Sequence, residues 1–123
     1  MTPLRILVVD DNDVIRGMLR FMLEKLGHAV VAEASTGAAA LTAYAAHRPG
    51  LVTLDISLGD MNGLEVLKRL RADDPAARVV VVTGNNSAVL ARDVMAAGAH
   101  ALMLKPFNFT RLQELLAGLG EAP

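Results

Sequence analysis

Three observations predict an α/β fold: a single (βα)5 doubly wound domain with a parallel five-stranded sheet and helices on both faces. Short β-branched runs alternate with helical patterns five times along the 123 residues. The runs mostly lack strict polar alternation, as strands buried on both faces do. Right-handed crossovers between successive parallel strands lay helices on both sides of such a sheet.

Each element has its own signal. The first strand is "RILVV", 5–9. The helix after it, 13–26, places Val14, Met18, Phe21 or Met22, and Lys25 or Leu26 on one side. Gly27 can stop it, and Asp11 or Asn12 suits its cap. "AVVAEA", 29–34, is the second strand, followed by an Ala-rich helix over 36–47 behind a cap at Ser35. "LVTLD", 51–55, precedes a helix over 63–72 that carries Leu64, Leu67 and Leu70 or Arg71 and stops near Pro75. "RVVVVT", 78–83, leads to a helix over 87–97, with Ser87 as cap and Gly98 as stop. "ALMLK", 101–105, leads to a helix over 108–119 that opens at Asn108 and repeats Leu112, Leu115, Leu116 and Leu119. No repeat, linker or low-complexity segment precedes the terminal "GEAP", so residues 1–123 are expected to form one domain.

Composition narrows the class. Apolar residues make up 53% of the chain, with charges scattered singly, which suits a globular protein with a sizeable core. No apolar run approaches the ~18 residues of a membrane span, and the N-terminus carries no signal-peptide pattern. Without cysteine there is no disulfide, thiolate metal site or catalytic thiol. A cytoplasmic protein is expected. A net charge of −1 without a basic stripe argues against nucleic-acid binding by this domain alone.

In open parallel sheets, ligands bind beyond the carboxyl ends of the strands, where the strand order reverses. Those ends present Asp10 and Asp11 after the first strand, Asp55 after the third, Thr83 after the fourth and Lys105 after the fifth. If the order is 2-1-3-4-5, the first and third strands flank the reversal and three carboxylates converge there beside a hydroxyl and an ammonium. Each residue has a simpler reading: Asp55 as turn former, Thr83 as strand former, Lys105 as solvated strand end. Their joint placement is the stronger signal. Clustered carboxylates cost stability unless a cation balances them or one keeps its proton.

Phosphoryl transfer fits that set. Carboxylate and carbonyl oxygens favour a hard cation, and few protein ligands with several waters suit Mg²⁺. One carboxylate can act as nucleophile, while a lysine and a hydroxyl hold the charge that spreads over the phosphoryl oxygens. Gly84, lacking a side chain, lets the backbone approach a phosphate.

The stretches "ILVVDDN", "LVTLDISLGDMNG", "VVVVTG" and "GAHALMLKPF" resemble the receiver domain of bacterial two-component response regulators, a chemotaxis-type, flavodoxin-like fold. The resemblance implies the strand order 2-1-3-4-5, long known for chemotaxis receivers. It makes Asp55 the phosphoacceptor, Asp11 the direct Mg²⁺ ligand, and Asp10 a metal support acting through water. It makes Ser57 the position whose backbone carbonyl ligates the metal. Thr83 matches the switch hydroxyl and Lys105 its lysine partner, with a cis Lys105–Pro106 bond. The implied partners are a sensor histidine kinase or a histidine phosphotransfer protein, and a downstream protein target. A monomer or a phosphorylation-dependent dimer is implied.

Two positions depart from the family pattern. Leu58-Gly59 replaces the usual Met-Pro, and Leu102 stands where the fifth strand usually carries Tyr or Phe. Leu102 motivates an alternative, an interaction module that does not signal by phosphorylation. A flavin protein is disfavoured by one Tyr, three Phe and no Trp, and by the lack of a phosphate-binding loop. His28, His47 and His100 read as surface residues, so the donor histidine belongs to a partner. Arg16, Arg20, Lys68, Arg69 and Arg71 read as solvated helix faces, and the exposed side of the first helix as a kinase-docking surface. A stand-alone receiver is the simpler expectation.

Overall fold

The computed structural model describes residues 3–119; the terminal "GEAP" lies outside them. Five strands alternate with five helices: β1 (Arg5–Val9), α1 (Asp13–Lys25), β2 (Ala29–Ala34), α2 (Gly37–His47), β3 (Leu51–Asp55), α3 (Gly63–Asp73), β4 (Val79–Thr83), α4 (Ala88–Ala96), β5 (Ala101–Leu104) and α5 (Phe109–Leu119). All four pairings are parallel and the order is β2-β1-β3-β4-β5. The fourth and fifth strands are each one residue shorter than expected, which leaves Lys105 just beyond β5.

Strand alternation sorts the core into two layers. Leu7, Val9, Val52, Leu54, Val79 and Val81 face α2, α3 and α4. Ile6, Val8, Leu51, Val80, Val82 and Met103 face α1 and α5, meeting Leu19, Leu23, Leu112, Leu115 and Leu116. Both faces of β1, β3 and β4 are covered, which explains why those strands read as continuous apolar runs.

Side-chain caps fix where the helices begin. Asn12 accepts from the amides of Val14 and Ile15, Asn62 from Leu64, Ser87 from Leu90, and Asn108 from Arg111. Helix α2 is capped by Thr36 rather than Ser35. The Thr36 hydroxyl takes the Ala39 amide, because Asp60, reaching over from the β3–α3 loop, already accepts from Gly37 and Ala38.

The buried face of α1 also differs from expectation. Leu19 and Leu23 are inside, while Val14, Met18 and Phe21 are exposed. The helix carries two adjacent apolar rows. The row through Ile15, Leu19, Leu23 and Leu26 has no charge, whereas the other ends in Lys25, whose ammonium lies 5.6 Å from the Phe21 ring centre. Hydrophobic burial selects the uncharged row.

Three further expectations are corrected. His28 is buried, not on the surface; its Nδ1 accepts from the Leu4 amide at 2.9 Å, joining the α1–β2 turn to the start of β1. Arg71 folds back to donate to the carbonyls of Pro75 (2.6 Å) and Ala77 (2.7 Å), bracing the entry to β4. Arg16 is also largely covered, with partners described below.

Candidate functional site

The carboxyl ends of the strands bring three acids together. Asp10, Asp11 and Asp55 each offer an oxygen, and these lie within 4.8 Å of one another. Asp10 and Asp55 are 1% and 4% exposed, while Asp11 is open to solvent. This convergence follows from topology: β1 and β3 are paired neighbours, and the connection after β1 crosses to the other edge.

The two buried acids differ: Asp10 is bonded at both carboxylate oxygens, Asp55 at one. Asp10 Oδ1 accepts from the Asn12 amide at 2.9 Å, and Oδ2 from Lys105 Nζ at 2.8 Å. Asp55 Oδ1 accepts from the Ser57 amide at 3.1 Å. Its Oδ2 faces Lys105 Nζ at 3.6 Å, an ion pair too long for a hydrogen bond. Lys105 thus bridges the two acids, held more closely by Asp10. Burial pushes the Asp55 carboxyl above its ordinary range, opposed by the Ser57 amide and by Lys105, and reinforced by the charges of Asp10 and Asp11.

Thr83 lies one residue past the Val82–Asp55 pair and is 1% exposed. Its hydroxyl oxygen accepts from the Asn85 amide at 3.1 Å, which leaves its proton free to donate. Its carbonyl accepts from the Lys105 amide at 2.7 Å, so β4 fixes the start of the lysine, and the Lys105–Pro106 bond is cis as expected. Ser57 is exposed and contributes its amide to Asp55. Leu102 is half-buried against the α2, α3 and α4 layer.

Two supporting residues were not assigned roles from sequence. A Cβ on Gly63 would stand 2.4 Å from the Asp55 carbonyl oxygen and 2.6 Å from Ile56 Cα, so only glycine lets α3 begin this close to the end of β3. Its signal is the Asn-Gly pair at 62–63. Asp60 holds the start of α2 through its two amide bonds, which also keep its carboxyl below the usual range. No local pattern announces that reach.

The site contains a buried carboxylate with one oxygen free of hydrogen bonds, a lysine beside it, a hydroxyl donor and a three-carboxylate cradle. Such a set can hold a hard cation and transfer a charged group to an oxygen nucleophile. The model of the response regulator receiver domain matches residues 6–117. The chemotaxis protein CheY of Bacillus subtilis is 38% identical over 112 residues, covering 91% of this chain and 93% of that protein. CheY of Thermotoga maritima is 34% identical with the same coverage. Among solved structures, the CheX–CheY–BeF3–Mg complex from Borrelia burgdorferi superposes with a TM-score of 0.92 at 26% identity, covering 97% of this chain and 91% of that one.

Proposed function

The chain belongs to the response regulator receiver domain family, and from that premise we propose that Asp55 is the residue through which it accepts its phosphoryl group. A receiver regulates rather than turning over a substrate. The observation that carries the assignment is the state of Asp55: buried, central to the acid cluster, and with Oδ2 free of hydrogen bonds and facing the lysine.

The donor set fits Mg²⁺, because three carboxylate oxygens within 4.8 Å make a hard, anionic cradle. Asp10, Asp11 and Asp55, with the Ser57 carbonyl, are the groups that would hold the ion. When bound, the ion supplies positive charge that offsets the acids and then the phosphoryl oxygens.

Asp55 Oδ2 attacks the phosphorus of a phosphohistidine as the N–P bond breaks, and the lone pair returns to the imidazole of the partner. The Ser57 amide keeps Oδ1 turned away, so the free oxygen is the one presented. Lys105, already 3.6 Å from Asp55 Oδ2, shifts its charge to a phosphoryl oxygen. Thr83 donates its hydroxyl proton to another, and its movement towards the group alters the β4–α4 connection. The altered surface binds a downstream protein. The donor is a sensor histidine kinase or a histidine phosphotransfer protein, residues 1–123 act as one receiver domain, and the setting is cytoplasmic.

Incubation with acetyl phosphate and Mg²⁺ tests this reading. Wild type is expected to gain one phosphoryl group by mass and Asp55→Ala none. An Asp55→Ala protein that labels as fully as wild type overturns the assignment.

A further inference from the structure

Asp10 is held at every polar group: its amide donates to the Ala34 carbonyl at 3.1 Å, and its carboxylate is taken by Asn12 and Lys105. Its carbonyl, just past the end of β1, has no strand partner. Arg16 Nη1 donates to it at 2.9 Å. The same guanidinium sends Nε to Glu33 Oε1 on β2 at 3.2 Å and Nη2 to Asp13 Oδ1 at 2.6 Å. Glu33 is gripped from its other side by Arg20. The Arg16 side chain is 17% exposed, far less than a solvated helix residue.

Asp11 differs. Its carboxylate accepts no hydrogen bond from the described residues, so its backbone is the part that neighbouring groups hold in place. The bond that Arg16 makes holds the plane of the Asp10–Asp11 peptide, and that plane sets where the Asp11 Cα stands, the point from which its carboxylate reaches the cluster. We propose that Arg16 is a positioning residue for the metal site: by fastening the Asp10 carbonyl to β2 and α1, it aims the Asp11 carboxylate. Three donations in three directions require the planar fork of a guanidinium, which a lysine lacks. This rests on the reading of the acid cluster as a Mg²⁺ site.

The test compares Arg16→Met and Arg16→Lys with Arg20→Met, which also loses Glu33 but never touches Asp10. Mg²⁺ affinity is measured by calorimetry, and the Asp11 amide is followed by NMR in metal-free protein. Arg16→Met is expected to weaken Mg²⁺ binding about tenfold, the scale seen when residues orienting a metal ligand are removed. Arg16→Lys is expected not to restore it, and Arg20→Met to stay within about twofold of wild type. The Asp11 amide is expected to shift in both Arg16 variants and not in Arg20→Met. Wild-type affinity in Arg16→Met, or an equal loss in Arg20→Met, overturns the proposal. If wild type itself binds no Mg²⁺, the metal reading fails, and the Asp11 amide alone decides whether Arg16 fixes that peptide. Should Arg16→Met not fold, Glu33→Gln, which loosens the fork without removing it, is expected to weaken binding about threefold; no change there overturns the proposal.

Discussion

Thr53 sits on β3 two residues before Asp55, 1% exposed, between Val8 and Val80 in the strand register, and its hydroxyl has no partner among the described residues. A buried hydroxyl left unpaired carries its desolvation cost without return. Thr53→Val is therefore expected to raise stability by about 1 kcal/mol, read as a higher urea midpoint with an unchanged slope. His28 makes a related case at the opposite edge of the sheet. Burial lowers its pKa below the ordinary value, and its Nδ1 is already accepting from Leu4. The unfolded chain then binds a proton that the folded chain resists, so this contribution is full above about pH 6.5 and is lost as pH falls towards the lower folded value. His28→Gln is expected to flatten the stability profile below pH 6.5; chemical denaturation at stepped pH measures it, and an unchanged slope counts against the histidine. Neither residue was legible beforehand. A histidine at a turn reads as solvated, and only the packed Leu4 amide makes it structural.

At the scale of elements, two glycines separate geometry from habit. Gly17 lies within α1, where an added Cβ would meet nothing within 4 Å, so Gly17→Ala is expected to stabilise by about 0.5–1 kcal/mol. Gly63 opens α3 against backbone that cannot yield, so Gly63→Ala is expected to cost about 1–3 kcal/mol and to reduce acetyl phosphate labelling of Asp55. Urea unfolding of both variants, with labelling of the second, checks the pair. The strands were legible because burial on both faces leaves an unbroken apolar run. The phase of α1 was not, because two neighbouring rows offered similar apolar content and only packing against β1 and β2 chose between them. Asp10, Asp11, Asp55, Thr83 and Lys105 were legible because a parallel sheet sends all its strand ends to one edge. Arg16 and Asp60 were not, since each acts on an element that sequence spacing does not bring near.

For the molecule as a whole, the acid cluster is a liability that a bound cation would relieve. Asp55, pushed up by burial and by its two neighbours, is disfavoured as an anion in the metal-free fold. Between the ordinary carboxylate value and its raised one, the folded chain binds more protons than the unfolded, so this term costs stability as pH rises through that window. On the proposed reading Mg²⁺ would bind the folded state alone, and an ion that does so adds about 2.7 kcal/mol at a hundred times its dissociation constant. The thermal midpoint is therefore expected to climb with Mg²⁺ at pH 7 in wild type and to stay flat in Asp11→Ala; equal climbs would place the ion elsewhere. The bond from Lys105 to Asp10 has one more consequence. It joins residues 95 apart in sequence, nearly the full span of the fold. During synthesis, which proceeds from the N-terminus at about 5–20 residues per second, the first acids emerge seconds before their lysine. A nascent chain that stops short of β5 therefore carries its first acids without the lysine that balances them in the finished fold.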